Sequence, residues 1–486
     1  MTPVMNRRLL VSAAGLIPLI LVYAGAVPPA FGLVTLAWTL ACVFWFLRAR
    51  IHGILLVFLT VMLAGAVVGR PFPKLSGDDF ASEAPDALAK KWSAHGPFNA
   101  QLPVVVHIIF DELMSPGGLT SDIPGADRAR QAYYDLGSRY GFRTFDSVYS
   151  RYFFSGVSIP NLMNADYLGH TRLEEEYTDI QEKTVANAYF DAMARRGYRT
   201  AVFQTAVLDF CHNASVRMCE TFNSFDPAGG AASHLDVRTR TATLWSTMLR
   251  ALAPSYASTY GQGLLDRIYG IDSREVGVLG TADRFDVNQF PVWFDRFANF
   301  VRQVPRGTHV FAHFMAPHSP YLLTSGCIVS GRVDAGYYLA RFGSPANRAA
   351  ARSRYYADYL QQVACVQQKL SELVDALSNV DALRDATIIV HGDHGSRISV
   401  GNMIEDYTPR DFVDNYATYF AVKGPGVEPG VDCRFMALPQ VFRHYAGATD
   451  TFPAPDDPRL PVVVNSRAGK DVRVEAPMPV FGCAAQ

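Results

Sequence analysis

Three unbroken apolar runs open the chain: LLVSAAGLIPLILVYAGAV (9–27), GLVTLAWTLACVFWFL (32–47) and ILLVFLTVMLAGAVVG (54–69), none carrying a charge. A helix needs roughly 20 apolar residues to cross a bilayer, and about 17 can serve. The runs therefore predict three transmembrane helices at about 9–27, 32–47 and 53–69. Polar and apolar residues then mix over 71–101, the pattern of a juxtamembrane linker. From residue 102 the pattern changes again. LPVVVHIIF (102–110) is a continuous β-branched run that stops at Asp111 and Glu112, as a strand buried on both faces of a parallel sheet does. ADRARQAYYDLGSRYG reads as a helix with a glycine stop, FRTFDSVY as a strand, TVANAYFDAMARRGY as a helix and RTAVFQT as a strand. FPVWFDRFANFVRQV, THVFAHFMA, a helical stretch from about Arg348 to Leu377, ATIIVHGDHG and YATYFAVKG continue the alternation. Strands alternating with helices predict an α/β domain with a mostly parallel central sheet over 102–486. Residues 206–285 carry the weakest pattern and read as a lid or insertion.

Charge sets the orientation of the spans. Arg7 and Arg8 precede the first run, Arg48, Arg50 and His52 fill the turn between the second and third, and the turn AVPPAFG is uncharged. Positive residues stay in the cytoplasm, so the domain after the third run is expected outside it, as a periplasmic domain on a multi-pass protein of a bacterial inner membrane. The 44 basic and 45 acidic residues leave a net charge of −1, which gives no basis for a nucleic-acid partner. Of seven cysteines, Cys42 falls inside the second run and the other six in the exported part. An even count in an oxidising compartment predicts disulfides. Six cysteines allow fifteen pairings, and Cys211 with Cys219, closing a short loop, is the expected pair. No protein partner is predicted.

Open α/β sheets bind ligands at the carboxyl ends of their strands. Those ends read FDELMSPGG, FMAPHSPY and HGDHGS, and the stretch RYFFSGVSIPNLMN (151–164) supplies two serines. Taken singly, each has an ordinary structural use. Asp-Glu after a strand caps a helix, Ser155 and Ser158 are good N-caps ahead of Pro160, and a glycine-flanked Asp-His makes a turn. His107, His309 and His391 sit inside strand runs and read as packed, hydrogen-bonded residues. Together the strand ends offer more. Asp111, Glu112, Asp393 and His394 are hard oxygen and imidazole ligands suited to Zn2+, with Mn2+ the alternative, and the Ser155 hydroxyl can complete one ion's shell. Such an ion lowers the hydroxyl's pKa and polarises a phosphoryl or sulfuryl oxygen. His313 and His318 are placed to hold a substrate anion or to protonate a leaving group. Ser158 remains a cap or a donor behind the nucleophile.

In that order, VHIIFDEL, SGVSIPNLM, FAHFMAPHSPY, IIVHGDHG and YFAVKGPG resemble the sulfatase-type branch of the alkaline phosphatase superfamily over about residues 100–430. Within it they are most similar to membrane-anchored transferases that move phosphoethanolamine or phosphoglycerol onto outer lipids and glycans. The resemblance implies Asp111, Asp393 and His394 as metal ligands, with Glu112 where sulfatases hold a second acidic ligand. Both the transferase pattern and the sulfatase pattern place the nucleophile on Ser155. Two departures bear on the reaction. Val157 and Ile159 stand where classical sulfatases carry Pro and Arg, which argues against a formylglycine. The transferases' further histidine after the Asp-His pair has no counterpart before His444, leaving Glu405, Asp406 or Asp414 for that role. The expected activity is thus transfer of a phospho-headgroup from membrane lipid to an envelope glycan or lipid. Hydrolysis with water as acceptor, and an inactive membrane-tethered scaffold, are the alternatives.

Overall fold

The computed structural model describes Trp92 and residues 99–169, 186–205, 208–222, 285–319, 321–328, 345–399, 407–452, 460–465 and 473–485. The three apolar runs, Cys42 and most of 206–285 lie outside the described residues. Among the described residues no helix is long and apolar enough to cross a membrane. The chain divides into two units, 1–83 with 226–280 and 84–225 with 281–486, and every described residue belongs to the second.

In chain order the elements begin with strand β1 (Val105–Phe110), helix α1 (Ala126–Tyr140), β2 (Arg143–Phe145), β3 (Val148–Tyr149) and α2 (Ser155–Asn161), which runs on through a π-helical turn at Leu162–Asp166. They continue with α3 (Ala188–Arg195), β4 (Arg199–Thr205), β5 (Val216–Phe222), α4 (Phe285–Val301), β6 (Thr308–Phe314), α5 (Pro345–Ser378), β7 (Thr387–Gly392) and α6 (Pro409–Tyr416). The last are β8 (Phe420–Lys423), β9 (Gly430–Asp432), β10 (Met436–Ala437), α7 (Leu438–Tyr445), β11 (Val462–Asn465) and β12 (Arg473–Ala476). Gly141 ends α1 in the left-handed conformation, φ 72°, as the glycine stop predicted.

Eight strands form the central sheet in the order β5-β4-β6-β1-β7-β8-β2-β9. Only β8 runs against the rest, pairing antiparallel with both β7 and β2, so the sheet is mostly parallel. β1 lies at its centre, between β6 and β7. Side chains alternate across a strand, and both faces are covered. Val106, Ile108 and Phe110 of β1 pack with residues of α1, α4 and α5 on one side. Val105 and Ile109 pack with residues of α2, α3 and α7 on the other. Double coverage explains why the strand runs carry no polar alternation.

Two local readings need correction. FRTFDSVY is not one strand: β2 pairs with β8 and β9, whereas β3 pairs with β10 in a separate sheet. The break falls at Asp146, whose buried carboxylate accepts from Tyr134 Oη at 2.5 Å and the Cys483 N–H at 2.6 Å. Within 206–285, Val216–Phe222 forms the edge strand β5, and its Cys219 is bonded to Cys211. That disulfide is the expected one, and Cys327–Cys365 and Cys433–Cys483 complete the three. Trp92, inside the range read as linker, is fully buried, donates to Thr308 Oγ1 at 3.2 Å and lies under the Arg199 guanidinium.

The α4 side of the core is aromatic. Phe297 is fully buried, with ring centroids 5.4 Å from Phe203 and Phe314 and 5.7 Å from Phe294. Removing such a side chain leaves a cavity its rigid neighbours cannot close. Phe297→Ala should cost about 3–5 kcal/mol, read as a lower denaturation midpoint at unchanged slope.

Candidate active site

The strand register builds the site. Ile109 of β1 is level with His313 of β6 and His391 of β7. Two residues on, with side chains returning to the same face, the chain reaches Asp111 and Asp393. The α2 face of the sheet therefore ends in a row of acids and imidazoles over buried histidines. Beneath the row, His107 Nε2 and His391 Nε2 are 2.8 Å apart, and His309 meets Tyr189 Oη at 3.0 Å and Thr200 Oγ1 at 3.2 Å. Burial pushes His391 down to about 4 and His309 to about 3, keeping both neutral. These are the packed histidines the strand pattern implied.

Ser155 is the first residue of α2. Phe154 occupies the N-cap position and makes no side-chain cap, so neither serine is used as the cap. Instead Ser155 Oγ donates to Asp111 Oδ2 at 3.0 Å and lies 3.1 Å from His394 Nε2. Ser158 Oγ donates to the Asp393 carbonyl at 2.7 Å, tying α2 to the end of β7 from behind. His394 Nδ1 faces the Gly395 carbonyl at 2.9 Å. A carbonyl only accepts, so Nδ1 carries the hydrogen and Nε2 presents its lone pair to the site. Asp393 Oδ1 accepts from the backbone N–H of Glu112 at 3.1 Å and of His394 at 2.9 Å. Its Oδ2 and Asp111 Oδ1 have no hydrogen-bond partner, and neither does either ring nitrogen of the buried His313. His313 Nε2 stands 3.8 Å from Asp111 Oδ2.

Counting donors against acceptors shows what is missing. One hydroxyl proton is shared among Ser155 Oγ, two carboxylates and the His394 lone pair, all buried. An unpaired buried acceptor costs about 1–3 kcal/mol, and a charged one more. A cation would satisfy both orphan carboxylate oxygens at once. The residues fit a divalent metal, and ligand atoms of Asp111, His313 and Asp393 all lie within 4.8 Å of one another. Burial and the Asp111 charge push the Asp393 carboxyl up. Burial would also raise Asp111, but the imidazoles of His318, His313 and His394 hold it well below the usual range.

Residues 103–418 match the sulfatase family, well over half the chain. The chain belongs to the sulfatase family. Members bind a divalent metal and are enzymes of the alkaline phosphatase superfamily. No curated protein sequence matches the chain. Solved structures similar to this sulfatase-family chain include the zinc complex of the periplasmic domain of EcEptC from Escherichia coli, with 10% identity over 78% of this chain and 93% of that one at TM-score 0.41. Phosphonate monoester hydrolase of Agrobacterium radiobacter has 14% identity over 76% and 82% at TM-score 0.42. The periplasmic domain of phosphoethanolamine transferase EptC from Campylobacter jejuni has 11% identity over 74% and 92% at TM-score 0.39.

Glu112 and His318 belong to a second group beside the first. Arg397, which the sequence did not single out, holds Glu112 Oε1 through Nε at 2.7 Å and Nη2 at 2.6 Å. Its Nη2 also donates to His318 Nε2 at 2.8 Å. Asp414, considered for the missing histidine's role, is committed to a buried ion pair with Arg352 and accepts from Tyr356 Oη at 2.5 Å. Glu405 and Asp406 lie outside the described residues. Two glycines are needed by close approach: a Cβ on Gly392 would stand 2.2 Å from the Leu113 carbonyl oxygen, and one on Gly395 2.2 Å from that of Asp414.

Asp393→Asn separates ion binding from folding. The amide keeps Oδ1 for both backbone donors and removes the charge. In metal-free protein the raised folded pKa means that ionised Asp393 opposes folding. The parent's stability from this group is full below the unfolded carboxyl pKa and lost as pH rises through the folded value. The variant should melt at or above the metal-free parent at pH 7, with the gap closing toward pH 4. Zn2+ at a hundredfold over its Kd should stabilise the parent by about 2.7 kcal/mol and leave the variant's melting temperature unmoved.

Proposed function

We propose that the chain is a membrane-anchored, metal-dependent sulfatase-family phosphotransferase. Ser155 would take a phospho-headgroup, of phosphoethanolamine or phosphoglycerol type, from a membrane lipid and pass it to a hydroxyl of an envelope glycan or lipid. The observation that carries this reading is the placement of Ser155 Oγ at 3.0 Å from Asp111 and 3.1 Å from His394, inside a buried group rich in unpaired acceptors. Asp111, Asp393, His394 and Ser155 would hold one divalent ion, Zn2+ or Mn2+. The ion would supply Lewis acidity, drawing the serine proton off to solvent and polarising the phosphoryl oxygen.

The chain's own residues do the rest. Ser158 and the Glu112 N–H fix Asp393, and the Gly395 carbonyl fixes the His394 tautomer, so that the nucleophile is met by lone pairs in set directions. Ser155 Oγ attacks phosphorus, the bond to the diacylglycerol oxygen breaks, and that oxygen leaves with a proton taken from solvent. His318 is 12% exposed at its side chain while the other imidazoles of the site are buried, so its edge is where that proton and the substrate enter. An acceptor hydroxyl then attacks phosphorus, loses its proton to solvent, and Ser155 departs reprotonated. His313, unpartnered beside Asp111, is free to meet a phosphoryl oxygen.

Two features support a lipid donor. The three apolar runs at 9–27, 32–47 and 54–69 would confine the domain to a bilayer surface. The three disulfides fit an oxidising compartment such as the periplasm. Full-length protein in vesicles of labelled phosphatidylethanolamine or phosphatidylglycerol tests the reading. Diacylglycerol release with the headgroup covalently on an added glycan or lipid acceptor is expected. Free headgroup as the sole second product would assign hydrolysis instead. Ser155→Ala should lower turnover on the order of a thousandfold or more in protein that still folds, and parent protein should carry the headgroup on Ser155 in intact mass.

A further inference from the structure

Phe154 breaks a local rule beside the nucleophile. It holds the N-cap position of α2, where Ser, Thr, Asp and Asn are preferred because their side chains accept from the first helical N–H groups. A phenyl ring has no acceptor, and no side-chain cap is made. Nor is the ring hidden. Phe154 is 47% exposed, and of the exposed large apolar side chains among the described residues it alone adjoins Ser155 in the chain. Helix capping and apolar burial are both forgone at one residue, and natural chains break such rules chiefly at functional sites.

The placement of the ring follows from the backbone. Phe154 is extended, φ −138° and ψ 128°, and its carbonyl accepts from the N–H of Val157 at 3.1 Å and of Ser158 at 2.8 Å. Side chains of an extended segment alternate. Phe153 packs inward, its ring centroid 6.1 Å from that of the buried Tyr416, while Phe154 turns to solvent. Its ring then lies along the first turn of α2. A Cβ on Gly156 would stand 2.8 Å from Phe154 Cε1 and 3.4 Å from Cδ1, so the missing side chain at 156 is what lets the ring rest there. An exposed phenyl group thus stands one residue from a hydroxyl whose own neighbours are a carboxylate and an imidazole.

We propose that Phe154 selects the donor, its ring packing on the acyl-glycerol half of a membrane phosphodiester. The inference rests on the proposed transfer of a headgroup from lipid. An ethanolamine ammonium has the site's carboxylates to pair with, and a glycerol headgroup is a polyol that gains little from a phenyl face. The part both donors share is diacylglycerol, which is apolar beyond its ester oxygens. Aromatic side chains favour the boundary between water and acyl chains, and a domain confined to a bilayer surface meets its donor at that boundary.

The test compares acylated with deacylated donors. Full-length protein in vesicles is given phosphatidylethanolamine or phosphatidylglycerol in the bilayer, or glycerophosphoethanolamine or glycerophosphoglycerol in solution. The parent should prefer the acylated donor of each pair by kcat/KM. Phe154→Ser should lower that preference on the order of tenfold in both headgroup series. It should also melt at or above the parent, because serine supplies the missing cap, which separates this role from a structural one. Phe154→Trp should restore the preference. Phe154→Ala is read in the same way if the serine variant does not fold. A preference unchanged in the serine or alanine variant overturns the proposal, as does a parent with no preference for the acylated donor. A fall confined to the ethanolamine donors also overturns it, by assigning the ring to the ammonium. A parent that releases the headgroup from none of the four donors would instead fail the proposed function, and this inference with it.

Discussion

Two carboxylates buried side by side without enough donors are the constraint that orders this domain. Asp111 and Asp393 sit at the ends of neighbouring strands, each fully enclosed, and each has one oxygen with no hydrogen-bond partner. A fold does not keep such a pair for stability, because burial of unpaired charge opposes folding. The surroundings make sense as a cradle for a positive ion: backbone N–H groups hold the outward oxygen of Asp393, a carbonyl fixes the tautomer of His394, and a serine faces the gap. Under the proposed function the nucleophile, Ser155 Oγ, would itself be one of the ion's ligands.

The long helix α5 makes that cradle rigid. Along one stripe, three side chains brace three different loops. Tyr356 donates to Asp414 and meets Ser396 Oγ at 3.0 Å, beyond β7. One turn on, Tyr359 donates to the Glu112 carbonyl and accepts from the Met114 N–H, beyond β1. A further turn on, Gln362 donates to the carbonyls of Pro317 and His318 and accepts from the N–H groups of Leu322 and Leu323, beyond β6. The spacing of three places all three on one helix face. The loops that carry the chemistry are therefore positioned by a single element on the side of the sheet opposite α2. Burial pushes the hydroxyls of Tyr356 and Tyr359 well above their ordinary pKa, so they remain donors throughout the useful pH range.

Strand ends were the legible part. β4 matches the run RTAVFQT residue for residue, and β1, β6 and β7 fall inside the runs read for them, because a strand covered on both faces must be apolar throughout. Asp111, Ser155, Asp393 and His394 were legible for a related reason, as polar residues following such runs. The structure brings those four together, with His313 adjacent and with Glu112 and His318 in the neighbouring group. Arg397 was not legible. It lies three residues after His394, and only a left-handed turn at Arg397 and another at Glu112 make the two meet. No spacing rule encodes a contact between residues 285 positions apart. β5 was missed because VRMCETF alternates weakly and belongs to a sheet edge, where one side of the ladder is unpaired. The reversed β8 reads like any other apolar strand, since direction leaves no mark on hydropathy.

Charge balance connects the two halves of the site to the kind of ester it would accept. Asp111, Asp393 and Glu112 bring three negative charges if all are ionised, and Arg397 returns one positive. One divalent ion held there would then bring the resting site to neutrality. Serine ionisation adds a negative charge next to the attacked atom, and a substrate of low charge is repelled least. A phosphodiester or a sulfate monoester carries one negative charge, and a phosphate monoester carries close to two at neutral pH. In a dry site each extra charge is felt at low effective dielectric. Under the proposed function this balance would favour monoanionic esters over phosphate monoesters. Val157 and Ile159 stand where the classical sulfatase pattern carries Pro and Arg, a departure that suits the serine nucleophile and the phosphodiester of the proposed function.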